Sequence, residues 1–220
     1  MTRGVRMVML GRQGAGKGTQ CVRLSRHYVV PHISTGDMLR AAVREGTDLG
    51  RKAGELMSAG NLVPDDLMIG IVEDRLDRDD TTQRGYILDG FPRTVGQADA
   101  LAQITAPRPL DVVVDLDVPT DVVLERLASR RVCDDCASNY SLDKPPRYGW
   151  VCDNCGGDVV QRDDDTPAAI AKRLAEYEAN TAPLIEWYRE RGMLEVIDGH
   201  AAAAEVTDRM LTAIDQRRGS

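Results

Sequence analysis

Long apolar runs are missing from these 220 residues. No stretch reaches the roughly 20 residues that a membrane-spanning helix needs. The basic start lacks the apolar core and cleavage site of a secretory leader, so a cytoplasmic protein is expected. Excess positive charge is missing too: the net charge is −7, which argues against non-specific nucleic-acid binding. Lysine is scarce, with four Lys against 24 Arg. Planar guanidinium forks suit phosphate clamping, but a codon bias gives the same excess, so only individually placed arginines count. The three histidines, His27, His32 and His200, are scattered, and none has a motif context that suggests catalysis. Internal repeats and low-complexity tracts are absent. A chain of this length suits one core domain with small inserted lobes, able to bury a core without disulfides.

Glycine is concentrated where it matters. The segment Gly11-Arg12-Gln13-Gly14-Ala15-Gly16-Lys17-Gly18-Thr19-Gln20 follows an apolar run, Val5–Leu10, and precedes a helical pattern through Cys21, Val22 and Leu24. A glycine-rich turn between strand and helix aims successive N–H groups at one anion, the helix N-terminus adds its dipole, and Lys17 adds a full charge. A dinucleotide-binding turn fails because its third glycine slot falls on Thr19. A plain structural turn explains the glycines but not Lys17 at phosphate-loop spacing. The slot after the lysine, usually Ser or Thr, is Gly18 here, and the hydroxyl moves to Thr19.

Further apolar runs at Tyr86–Leu88, Val112–Leu116 and Leu194–Ile197, with a short His32-Ile33, alternate with helical patterns. This predicts an α/β fold with a parallel sheet, helices on both faces and right-handed crossovers. Ser34 and Asp37 form a capping box for a helix through Met38, Leu39 and Val43. Gly60 reads as a helix stop and Pro64 as the first turn of the next helix. Thr166-Pro167 starts a long helix through Ile170, Leu174, Tyr177, Leu184 and Trp187, which Pro183 should bend or break. Ala201–Ala204 reads as helix, and the tail from Arg217 as loose.

Cys133 and Cys136 form one C-x2-C pair, Cys152 and Cys155 another. Two such knuckles predict a closed tetrahedral zinc site; two disulfides fit a cytosolic chain poorly. The fifth cysteine, Cys21, reads as a small buried hydrophobe. Zinc ribbons can bind nucleic acid, but Asp134, Asp135, Asp143, Asp153 and Asp158 outnumber Lys144 and Arg147 here. A structural metal folding a lid too small to hold its own core is the better reading. In Tyr86–Arg93 an apolar strand ends in Asp89, at the sheet edge where open α/β folds bind ligands, so Asp89 can hold water around magnesium. Arg93 follows a rigid Gly-Phe-Pro turn that fixes a phosphate-binding fork.

These motifs resemble the adenylate kinase family in its long-lid, zinc-containing bacterial form. The resemblance covers nearly the whole chain. It rests on the glycine loop, on His32-Ile33-Ser34-Thr35-Gly36-Asp37-Met38-Leu39-Arg40, and on Asp89-Gly90-Phe91-Pro92-Arg93. Glu125-Arg126-Leu127, Arg130-Arg131, the four cysteines, Arg162-Asp163-Asp164-Asp165 and Lys172-Arg173-Leu174 complete it.

The resemblance implies a P-loop nucleoside monophosphate kinase fold with a five-stranded parallel sheet. The core would be 1–33, 64–130 and 166–220, the acceptor (AMP) lobe 34–63 and the zinc-binding lid 131–165. It implies Mg-dependent transfer from ATP to AMP, giving two ADP, with no catalytic base. Gly14, Gly16, Lys17, Gly18 and Thr19 would hold the donor phosphates, with Arg126 beside its adenine. Thr35, Arg40, Gly90, Arg93 and Gln97 would hold AMP, with Gln97 reading the base. Arg130, Arg162 and Arg173 would surround the transferring group, the last two also touching AMP phosphate, and Asp89 would organise magnesium.

Asp164 and Asp165 would orient Arg162 and the lid hinge. Tyr140 would pack on the donor base or, equally, in the ribbon core. Arg12, with Gln13 where the family often has Pro, would face water more readily than the donor phosphates. A structural zinc, a monomer, and no nucleic-acid or membrane partner are expected. The rivals are a UMP or CMP kinase, disfavoured by the insert of about thirty residues and by Thr35 and Gln97, a nucleotide-gated zinc-ribbon nucleic-acid binder, and an inactive scaffold, disfavoured by Lys17 and the arginine set.

Overall fold

The computed structural model describes residues 4–59 and 61–219. The chain runs β1 (Arg6–Leu10), α1 (Lys17–Tyr28), β2 (His32–Ser34), α2 (Thr35–Arg44), α3 (Asp48–Ser58), α4 (Asp65–Leu76), α5 (Asp79–Arg84), β3 (Tyr86–Asp89), α6 (Val95–Ile104), β4 (Val112–Asp117) and α7 (Thr120–Ser129). A small lobe follows with β5 (Arg130–Cys133), β6 (Asn139–Ser141) and β7 (Val159–Val160). The chain then returns through α8 (Pro167–Glu176), α9 (Pro183–Glu190), β8 (Leu194–Asp198) and α10 (Ala203–Gly219).

Five strands form one parallel sheet in the order β2-β3-β1-β4-β8. Four were legible as apolar runs, and β2 only as the short His32-Ile33. Because side chains alternate across a strand, β1 feeds two cores. Met7 and Met9 meet α1 and α10 through Leu24, Tyr28, Met210 and Ile214. Val8 and Leu10 meet α4, α6 and α9 through Val72, Leu101 and Leu184. Each such buried side chain contributes about 1.5–3 kcal/mol. The sheet is therefore rigid, and its carboxyl edge, where β1 and β3 end, is where ligand-binding loops are anchored. The lobe between α7 and α8 has its own antiparallel sheet, β6-β5-β7, and its own small core of Cys133, Cys152 and Val159, with Tyr140 packed against it.

Local signals fared unevenly. Half of the capping box is seen: the Asp37 N–H donates to Ser34 Oγ at 3.3 Å, while the Asp37 carboxylate pairs with Arg40. Thr166 caps α8, and Pro167 sits in its first turn. Pro64 is the residue before α4 rather than its first turn; Gly60 lies outside the described residues. Pro183 does interrupt the long helix: it has no N–H for the Ala179 carbonyl, and a π-turn over Tyr177–Thr181 absorbs the mismatch, with Ala182 N–H reaching Tyr177 O at 2.8 Å. Only Ala203 and Ala204 of the alanine run are helical. The expectation of a loose tail is overturned as far as Gly219. Arg217 Nη1 donates to Glu195 Oε1 at 2.7 Å and Arg218 Nη2 to Gly4 O at 3.0 Å, so tertiary contacts hold what composition made look free.

Candidate active site

The glycine loop joins β1 to α1 directly. Gly16 caps α1 at φ 105°, a left-handed conformation that lets the loop N–H groups turn inward. Gly14 is required for a second reason: a Cβ there would lie 2.8 Å from Leu127 Cγ and 2.9 Å from Val123 O on α7. Lys17 Nζ lies across the loop, donating to Gly11 O at 2.7 Å and Arg12 O at 3.0 Å. Burial lowers its pKa, against the pull of Asp89.

Asp89 ends β3 facing this lysine. Burial works to raise its pKa, but His32, Lys17 and Arg93 outweigh that and hold it below the usual carboxylate range. Gly90 must be small, since a Cβ there would meet Thr35 Oγ1 at 2.7 Å. The Phe91–Pro92 peptide is cis. Arg93 Nε donates to Gly90 O at 2.8 Å, and its backbone N–H to Gln97 Oε1 at 2.7 Å. Gln97 Nε2 in turn donates to Asp65 Oδ1 at 2.7 Å, while Asp65 Oδ2 accepts from Thr94 Oγ1 at 2.6 Å. Sequence reasoning missed Asp65, which fixes the orientation of the Gln97 amide; the acid in the first turn of α4 was the available signal.

Four arginines converge above. Arg130 makes a bidentate pair with Asp165, and Arg173 Nη1 donates to Asp164 O at 3.0 Å and lies 3.0 Å from Asp164 Oδ2 and 3.4 Å from Asp165 Oδ1. Asp164 and Asp165 thus hold Arg130 and Arg173, which corrects the expectation that they orient Arg162. Arg162 instead faces Asp37 at 3.9 Å, where Arg40 also pairs. Burial, then Arg40 and Arg130, push the Arg162 pKa down to about 10. Burial and neighbouring Arg173 likewise lower that of Arg93. Cations crowded enough to weaken one another's charge make a site prepared for a polyanion.

One cavity of about 800 Å³ collects these groups. Gly14, Gly16, Lys17, Gly18, Thr19, Thr35, Arg40, Asp89, Gly90, Arg93, Gln97, Arg126, Arg130, Tyr140, Arg162 and Arg173 all line it. Arg126 spans its mouth, donating to Ala15 O at 3.0 Å and Gly199 O at 3.4 Å. Asn139 and Lys144 of the lobe also line it, two residues that sequence reasoning passed over; a Cβ on Gly18 would lie 3.7 Å from Asn139 Nδ2. The lining carries nine Lys or Arg against five Asp or Glu, in a chain of net charge −7. Arg12 does not line the cavity, and its partly exposed side chain is paired rather than free in water. Its Nε donates to Glu178 at 2.8 Å, and the guanidinium lies 5.5 Å from the Tyr177 ring centre. Gln13 Nε2 donates to Arg173 O at 3.3 Å.

In the lobe, the four cysteine sulfurs lie within 4.8 Å of one another, with Cys133 to Cys155 at 3.4 Å and Cys136 to Cys152 at 3.5 Å. All are free thiols. Both knuckles turn alike: Ala137 and Gly156, each following the second cysteine, have φ of 57° and 80° and donate to Cys133 O and Cys152 O. The Tyr140 hydroxyl accepts from Asp153 N–H at 2.8 Å and donates to Cys152 Sγ at 3.4 Å, the contact that lowers the Cys152 pKa. Four converging soft donors suit Zn²⁺, and this placement of Tyr140 is the ribbon-core alternative.

Comparison with known proteins agrees with this geometry. A family model described as adenylate kinase matches residues 9–193. The adenylate kinase of Moorella thermoacetica is 49% identical over 205 residues, 92% of this chain and 94% of its own. That of Desulfitobacterium hafniense (strain DSM 10664 / DCB-2) is 48% identical over 214 residues, 96% of this chain and 98% of its own. That of Syntrophotalea carbinolica is 49% identical over 213 residues, with the same coverage.

Proposed function

This chain belongs to the adenylate kinase family, and from that premise we propose how its cavity works. The protein is an ATP:AMP phosphotransferase, moving the terminal phosphoryl group of ATP to AMP and back, with two ADP as the products. The observation that carries this reading is one cavity lined together by the phosphate loop, by Arg40, Arg93 and Gln97, and by Arg130, Arg162 and Arg173.

The loop N–H groups and Lys17 hold the donor phosphates, and Arg126 lies along its adenine. Arg40 and Arg93 clamp the AMP phosphate. Gln97, with one N–H engaged by Asp65 and one oxygen lone pair by Arg93, keeps one donor and one acceptor for adenine. The attacking group is a phosphate oxygen already ionised near neutral pH, so no base is needed. The work is in-line positioning and neutralisation of charge on the transferring group, which Arg130, Arg162 and Arg173 supply. Closure of the lobe over Gly18 excludes water that would otherwise take the phosphoryl group.

Thr19 and Asp89 fit a magnesium ion accompanying ATP, because Asp89 stays ionised beside Lys17 and both residues line the cavity. When bound, the ion neutralises donor phosphate charge. Cys133, Cys136, Cys152 and Cys155 would hold a structural zinc that folds the lid. The acceptor lobe is 34–63, where α2 and α3 pack on each other, the lid is 131–165, and the remainder is core. Five free thiols suit a reducing, cytoplasmic setting. The acidic surface of the lid disfavours nucleic acid, and a self-contained cavity suits a monomer. No helix of the described residues is long and apolar enough to cross a membrane.

A coupled assay of ADP formation from MgATP, with AMP, UMP, CMP or GMP offered in turn, tests the acceptor. AMP is expected to be preferred by at least about tenfold in kcat/KM; faster turnover with UMP or CMP would overturn that assignment.

A further inference from the structure

Behind the phosphate loop lies a second convergence of metal-binding chemistry, of which the transfer reaction uses Asp89 alone. Cys21 sits on α1 one turn past Lys17, His32 opens β2 and Asp89 closes β3. One ligand atom from each, a thiol sulfur, an imidazole nitrogen and a carboxylate oxygen, lies within 4.8 Å of the other two. His32 Nε2 stands 3.5 Å from Asp89 Oδ2. That nitrogen is buried, and this long contact with Asp89 is its one partner, short of a well-formed hydrogen bond, a cost that a buried polar atom does not ordinarily bear. Cys21 has no exposed surface, while His32 and Asp89 both face the cavity. Three different elements of the rigid sheet core thus aim a soft, a borderline and a hard donor at one point, with a way in from solvent.

We infer that Cys21, His32 and Asp89 form a second metal site, selective for a thiophilic divalent cation such as Zn²⁺, whose occupation removes Asp89 from phosphoryl transfer.

Bond lengths of about 2.3 Å to sulfur and 2.0–2.2 Å to nitrogen and oxygen put tetrahedral ligand atoms roughly 3.3–3.8 Å apart. The His32–Asp89 separation already meets this, and a small shift of the Cys21 side chain meets the rest. Charge balances as well. The thiol gives its proton to solvent on binding, and the resulting thiolate and carboxylate offset the two charges of the ion, beside the Lys17 and Arg93 cations that already face Asp89. The fourth position opens to the cavity. Three protein ligands and one open position make an accessible site, unlike the closed four-sulfur site of the lid. Magnesium is excluded by the same set, because it keeps its water shell and prefers all-oxygen ligation. The binding claim stands on these three residues alone; the inhibitory consequence rests on the role proposed above for Asp89.

The test uses the full chain with its lid site already loaded and excess zinc removed. Zn²⁺ is titrated in without nucleotide, with binding followed by calorimetry and by metal content after dialysis. The wild type is expected to take one further zinc per chain. Cys21→Ala and His32→Gln should each weaken it by more than the roughly 10- to 100-fold lost with an outer-shell partner. Co²⁺ added to the same site should give sulfur-to-cobalt charge-transfer absorption in the wild type and none in Cys21→Ala. In zinc-buffered assays Cys21→Ala should match wild-type activity without added zinc and resist added zinc that stops the wild type. No further zinc in the wild type, or equal uptake by both variants, overturns the site. Uptake lost in the variants with unchanged zinc inhibition overturns the inhibitory role. Failure of the acceptor assignment would show separately, as absent ADP formation from ATP and AMP in zinc-free buffer with the binding data unaffected.

Discussion

Asp165, with no exposed side-chain surface, holds Arg130 by two hydrogen bonds, Nε to Oδ2 at 2.8 Å and Nη2 to Oδ1 at 2.5 Å. The same carboxylate lies 3.4 Å from Arg173 Nη1. One buried anion therefore aims two of the three cations assigned to the transferring phosphoryl group. Removing its charge leaves the buried Arg130 without its partner and Arg173 with Asp164 alone. Asp165→Asn is expected to cost about 3 kcal/mol in stability and to lower kcat more than it raises either KM, since the substrates' own clamps are untouched. Urea denaturation with steady-state kinetics checks both; a variant with normal kcat would remove Asp165 from this role.

Arg93 occupies the other wall, held by Gly90 O and by Gln97. Arg93→Ala should reduce kcat/KM for AMP by roughly 100- to 1,000-fold, about 3–4 kcal/mol of transition-state stabilisation, with little change in ATP binding. Measuring ATP affinity and AMP kinetics on the same preparation separates the two. Unchanged AMP kinetics would refute the clamp.

The parallel sheet was legible because its central strands β1, β3 and β4 are buried on both faces and read as apolar runs, and the phosphate loop because its glycines and Lys17 fall at a fixed spacing. The lid cysteines were legible for the same reason. Partnerships between distant segments were not. Asp164 and Asp165 adjoin Arg162 in sequence but pair with Arg130 and Arg173, because the turn after β7 rotates them away from their neighbour. Arg12 sits in the glycine loop, yet Glu178, 166 residues on, claims it. Asp65 gave no signal beyond a first-turn acid, although it orients Gln97. Charge partners are chosen by tertiary geometry, and sequence proximity misassigns them.

The two tryptophans report on different parts of the molecule. Trp150 belongs to the lid, half exposed, and Trp187 to α9, against the second core. Among the described residues the lid's core cluster is Cys133, Cys152 and Val159, with Tyr140 alongside, too little apolar surface to fold without a metal. Chelation is expected to alter Trp150 emission, read in a Trp187→Phe background, while far-UV ellipticity of the sheet and helices largely persists. Loss of both signals in one transition would count against a lid held together by metal.

Asp115 is the one acid on the buried part of β4. Its position in the register, opposite Leu10, turns it into the second core, and its Oδ1 is buried without a hydrogen-bond partner. Burial, with the nearby Asp117 charge, raises its pKa to about 6 from the usual 3.8, against the pull of Lys17 and Arg12. A carboxyl whose folded pKa is raised binds its proton more tightly in the native state. Its contribution therefore favours folding at low pH and is lost as pH rises from about 4 to about 6, leaving a cost on the order of 3 kcal/mol at neutral pH. Asp115→Asn removes that charge while keeping the shape. The variant should be more stable than the wild type at pH 7 by about 1–2 kcal/mol, and the difference should shrink toward zero near pH 4. Denaturant midpoints for both proteins across this range decide it, and a gap that does not change with pH would show that folding does not raise the Asp115 pKa.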